Sequence, residues 1–199
     1  MLGSALGCLL MSRIRKGEDQ LLWNHPGIRH VPDSLSLSSS GFINGDEIPR
    51  GHAETGTGND VSPHLKWSGV PIQAVELALV IENLNVWRKW PPEAIPLIAT
   101  GISPSISEFA EGDLSKGAIP ANIPVLGVCA FGHTGYFGPK RVPNYRTHQY
   151  VFQLFALDIR LYWEQPPTRN TLLAAIRGHV ISRGRLDGFF SQTTRTEKR

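Results

Sequence analysis

"HQYVFQLFALDI", residues 148–159, is the stretch on which the fold turns. Read two at a time, one row holds Tyr150, Phe152, Leu154 and Ala156, and the other Val151, Gln153, Phe155 and Leu157. A half-buried strand alternates apolar with polar; here both rows are apolar with one exception, the pattern of a strand covered on both faces. We expect residues 150–157 to form an interior strand. "AVELALVIENL", residues 74–84, reads as a second strand entering the same central sheet, and "IPLIATGI", residues 95–102, as another apolar segment bounded by Pro96 and Gly101. "SLSLSSSGF", residues 34–42, sets Leu35 and Leu37 between serines, the period of a strand with one wet face. A turn around Asn44 and Gly45 follows.

Helical signals are fewer. Residues 1–16 suit a short helix ended by "KGEDQ". "TRNTLLAAIRGHVISRG", residues 168–184, offers Thr168 or Asn170 as a cap and Leu172, Leu173, Ile176 and Val180 as one apolar face, so residues 171–181 are predicted mainly helical. Fifteen prolines and twenty glycines in 199 residues favour many turns over long helices. The fold class that follows is mainly β, a sandwich with peripheral helices around one hydrophobic core, without alternating β and α units.

Composition excludes several functions. The net charge is +3 and Lys and Arg are scattered, so no nucleic-acid footprint is expected. Cys8 and Cys129 make neither a disulfide framework nor a metal motif. Cys129 reads as a small buried thiol, with a catalytic thiol near His133 as the alternative. His25, His30, His52, His64, His133, His148 and His179 are dispersed, so neither metal nor cofactor is expected. The N-terminal apolar run precedes Arg13, Arg15 and Lys16 instead of following them, unlike a secretory signal, and is too short to span a bilayer. A cytoplasmic location without a transmembrane segment is expected, a mitochondrial presequence being the alternative.

Taken in order, "SSSGFINGDEIP", "NDVSPHLKWSGVP", "ELALVIEN", "GYFGP", "THQYVFQLFALD" and "GHVISRGRLDGFF" resemble the phosphatidylethanolamine-binding protein family, nearest its bacterial-type, Raf kinase inhibitor-like branch. The resemblance covers roughly residues 31–190. It divides the chain into an N-terminal extension with a short helix (residues 1–30), the family-like domain (31–190) and a polar tail (191–199). It implies a Greek-key β-sandwich with one C-terminal helix and a small anion-binding pocket at one end.

The pocket chemistry differs from what the resemblance implies. The family's Asp-Pro-Asp wall corresponds here to Asn83, Leu84 and Asn85, so amides replace both carboxylates. The family's next pocket histidine falls on Pro96. The glycine-bounded turn survives as Gly135, Tyr136, Gly138 and Pro139, and leads to His148 and Tyr150, with Gln149 in place of an arginine. Asn83, Asn85, His133, Gly135, Tyr136, Gly138, Pro139, His148 and Tyr150 are therefore the candidate ligand-binding residues. Trp87 and Trp90 are candidate covers. Glu82, next to Asn83 on the strand, should face away from the pocket by alternation.

Two functions compete. One is a small-ligand-binding or regulatory protein with altered pocket chemistry, taking a small organic or anionic ligand. The other is a specialised enzyme on the same scaffold, with His148 and Tyr150 as candidate catalytic groups for an isomerisation, dehydration or cyclisation. A homodimer is left open.

Overall fold

The two-sided strands form the centre of the molecule. The computed structural model describes residues 17–84, 95–118, 124–129, 132–140 and 147–191. Its strands are β1 (Ser36–Ser38), β2 (Asp46–Glu47), β3 (Leu65–Ser68), β4 (Glu76–Asn83), β5 (Leu97–Ile102), β6 (Glu108–Phe109), β7 (Val125–Leu126), β8 (Thr147–Leu157) and β9 (Val180–Ser191). One sheet has the order β2-β9-β8-β4-β5-β7 and the other β1-β3-β6. Every pairing is antiparallel except β2 on β9. The result is the mainly β, two-sheet sandwich that the alternation predicts, with one helix, α1 (Arg169–Ile176), near its C-terminal end.

Period two distributes the side chains of the central strands between two layers. Leu77, Leu79 and Ile81 of β4, with Tyr150, Phe152, Leu154 and Ala156 of β8, point toward the small sheet and meet Leu37, Leu65 and Trp67. Ala78 and Val80, with Phe155 and Leu157, point the other way and are covered by Leu172 and Ile176 of α1 and by Leu22 and Ile28. The single core expected from sequence is thus two main clusters, one on each face, with a small third one of Leu21, Leu84 and Val151. A sheet covered on both sides cannot have one, because its own backbone separates the layers.

The predicted helix is shorter than its apolar period. Thr168 caps α1 through a reciprocal box with Thr171. The helix ends at Ile176, and Gly178 turns the chain at φ 80°. Val180, four residues beyond Ile176, continues the helical stripe in sequence but is the first residue of β9. It still reaches the α1-side cluster, which is why the pattern misleads. "VISRGRLDGFF" belongs to a strand that runs the length of β8, from Thr147 opposite Ser191 to Leu157 opposite Val180. The expected helix over residues 1–16 and the tail beyond Ser191 lie outside the described residues.

Candidate functional site

β4 and β8 run antiparallel with Asn83 opposite Tyr150. His148 lies two residues before Tyr150, so all three side chains share the face turned toward the small sheet. Asn83 Nδ2 lies 3.2 Å from His148 Nδ1, and its Oδ1 lies 3.4 Å from the same nitrogen. The Asn83 amide and His148 Nδ1 are hydrogen-bond partners, with the direction set by the ring tautomer and the amide orientation. His148 is 1% exposed and Tyr150 3%. Burial pulls the His148 pKa down to about 4, so the imidazole is neutral at physiological pH. The two rings lie 6.4 Å apart, tilted by 34°.

The glycine turn supports this end of the sheet. The Tyr136 hydroxyl donates to the His52 carbonyl at 3.0 Å, and Phe137 N–H donates to the Pro96 carbonyl at 2.8 Å. Gly138 N–H donates to Asp60 Oδ1 at 2.7 Å. A Cβ on Gly138 would stand 2.1 Å from the His52 carbonyl oxygen, so only glycine allows the two loops to close. Burial raises the phenol pKa of both Tyr136 and Tyr150. A backbone hydrogen bond from Lys140 tempers the rise at Tyr150, and Glu54 adds to it.

Asn83, Tyr136, Gly138, His148 and Tyr150 are buried together at or beside the sheet end. His133 stands on the surface with its ring stacked 6.5 Å from Phe137. Cys129 is buried, with its N–H on the His133 carbonyl and its thiol pKa pushed up to about 11 by desolvation, the behaviour of a packing thiol and not of a nucleophile. Asn85, Trp87 and Trp90 lie outside the described residues. Among the described residues no three His, Cys, Asp or Glu side chains gather as metal ligands.

Sequence reasoning passed over Asp60 and His52. Asp60 has a φ of 55°, a conformation common for Asn and Asp, and it follows the glycine-rich "GTGN". That run of turn residues was the available signal. Glu82 lies where alternation puts it, on the opposite face. It is fully buried, with Arg169 Nε at 2.7 Å and Gln153 Nε2 at 2.6 Å.

The sequence profile described as phosphatidylethanolamine-binding protein matches residues 38–191. A UPF0098 protein of Chlamydia muridarum is 32% identical over 168 residues, covering 79% of this chain and 99% of that protein. One from Methanothermobacter thermautotrophicus is 32% identical over 160 residues, covering 78% and 98%. The crystal structure of a phosphatidylethanolamine-binding protein homolog from Chlamydia trachomatis superposes with a TM-score of 0.68 at 30% identity, covering 81% of this chain and 99% of that one. Escherichia coli YbcL, at 17% identity and a TM-score of 0.70 over 80% and 99%, shares the fold. With the sandwich, the retained turn and a profile match across most of its length, this chain belongs to the phosphatidylethanolamine-binding protein family.

Proposed function

We propose that the chain is a small-ligand-binding or regulatory protein whose ligand is recognised at the Asn83–His148–Tyr150 end of the sandwich. The observation that carries this reading is the amide-to-imidazole contact at 3.2 Å, which ties two separate family segments into one polar group inside an apolar layer. Buried polar groups are costly unless they are satisfied, so a polar pair at a strand end suits recognition better than packing.

The chemistry favours a ligand that presents oxygen acceptors. An imidazole and an amide can each donate a hydrogen bond to a ligand oxygen. Neither Asn83 nor His148 carries a negative charge. Asp60 accepts from Gly138 N–H and Glu54 pairs with Lys140 at 3.5 Å, which offsets part of their charge. The ligand class proposed on these donors is a phosphate group, a phospholipid headgroup or another small anion. Because His148 is buried, the ligand must displace whatever covers its ring. The observed affinity is then scaled by the fraction of molecules in the open form.

The finer assignments rest on narrower support. The retained turn and the bacterial and archaeal relatives favour the Raf kinase inhibitor-like branch. A cytoplasmic location is part of the same proposal. The scattered charge speaks against nucleic acid as a partner. The family-like domain is placed at residues 31–190.

Calorimetry with inorganic phosphate and phosphoethanolamine tests the reading. His148→Ala, checked for folding by circular dichroism, should weaken binding by about 1–3 kcal/mol, the worth of a hydrogen bond to a charged group. Tyr150→Phe should lose less. Wild-type affinity in a folded His148→Ala variant would remove the histidine from the site.

A further inference from the structure

The family match begins at residue 38, yet the most deeply buried polar groups of the large sheet are completed by residues before it. Two short 3-10 turns, Glu18–Gln20 and Leu22–Asn24, lie across the outer face of β4 and β8. Leu22 N–H donates to Glu82 Oε2 at 2.8 Å, and the next amide, Trp23 N–H, donates to Gln153 Oε1 at 2.7 Å. Arg169, already bonded to Glu82, gives a second N–H to the Gln20 carbonyl. Arg183 of β9 donates to the Trp23 carbonyl at 2.5 Å, to the Arg29 carbonyl at 3.0 Å and to Asp33 at 2.5 Å, with its guanidinium 4.0 Å from the Trp23 ring centroid. Arg185 bridges Glu18 and Asp187.

These contacts reach the pocket end through one short piece of backbone. Glu82 and Leu84 flank Asn83 in sequence. Glu82 is held from behind by Leu22 N–H, and Leu84 is buried with Leu21 and Val151 in a small cluster of its own. Leu84 N–H donates to the Gln149 carbonyl at 2.9 Å, the last rung joining the two chain segments next to His148. On an alternating strand, whatever fixes the residues on either side from the back also fixes the side chain between them on the front.

We propose that residues 17–33 form a strap that sets the geometry of the candidate site from the opposite face of the sheet. Leu21 of the strap and Glu82 of β4, which the strap holds, are the positioning residues, acting through Asn83 on His148. The strap is a different feature from the ligand reading; only its effect on affinity rests on that reading. Without it, Glu82 would lose the Leu22 N–H and Leu84 would lose its Leu21 cover, loosening the backbone on either side of Asn83.

The test uses the full chain carrying Leu21→Ala, Leu21→Ile as the conservative variant, and Ile102→Ala as a core truncation at the far end of the same sheet. Glu82→Gln is a second route should Leu21→Ala fail to fold. The readouts are amide hydrogen exchange at Leu84, the ring nitrogen signals of His148 and calorimetry with inorganic phosphate. Leu21→Ala or Glu82→Gln should speed exchange at Leu84 by about tenfold or more over Ile102→Ala, displace the His148 signals and weaken phosphate binding, with Leu21→Ile near wild type. Exchange at Leu84 no faster than in Ile102→Ala, with His148 signals as in wild type, would overturn the proposal whatever phosphate does. Displaced His148 signals in a protein whose wild type binds no phosphate would uphold the strap and count against the ligand reading alone.

Discussion

Asn83 does more than remove a charge. A carboxylate in its place would set a negative charge beside His148 Nδ1 and favour imidazolium, whereas the amide adds no charge and burial keeps the ring neutral. Asn83→Asp should therefore raise the His148 pKa from its value of about 4, read from the ring nitrogens by NMR titration. It should also weaken phosphate binding. The wild-type histidine has a pH signature of its own. The unfolded chain takes up this proton near pH 6.5 and the folded chain only near 4, so the unfolded state binds more protons in between. Stability should be level above about pH 6.5 and fall as the pH drops toward 4, by on the order of 3 kcal/mol. Urea unfolding across that range should show the slope, and His148→Gln should flatten it. At Gly138 the constraint is steric: Gly138→Ala should destabilise by about 1–3 kcal/mol or more, because the new methyl group meets the His52 carbonyl. Family likeness made Asn83, His148 and Tyr150 legible in the sequence. Asp60 and His52 were not, since their roles depend on two loops meeting across 78 and 84 residues of chain.

At the scale of elements, what could be read from sequence depended on whether local pattern and tertiary burial agreed. β4 and β8 were legible because both faces of each are buried, and a two-sided apolar run has few other readings. β9 was not. Its Val180 completes a helical stripe with Leu172 and Ile176, and only Gly178 in the left-handed region separates helix from strand. β2, β6 and β7 are two residues each and leave no period to detect. The central strands also carry the energetic weight. Phe155, fully buried on the α1 side, should cost about 3–5 kcal/mol on truncation to Ala, measured by denaturant unfolding. Glu82→Ala should cost about as much through a different route, by leaving the largely buried Arg169 without its carboxylate, whereas Glu82→Gln keeps the volume and one acceptor oxygen, sets an NH2 against the donors on the other, and should cost less.

For the molecule as a whole, the sandwich supplies a rigid sheet with two uses. One face, toward the small sheet, gathers Asn83, His148 and Tyr150 at its end; the other carries α1 and residues 17–33. At that end the arrangement sets an imidazole and an amide together in an apolar layer. The most direct test is to titrate inorganic phosphate into the nitrogen-labelled full chain while following the His148 ring and the Asn83 side-chain amide. A ligand site there predicts saturable shifts of both groups, with the same dissociation constant as calorimetry gives. Binding that leaves both signals in place, with the shifts mapping elsewhere, would contradict it.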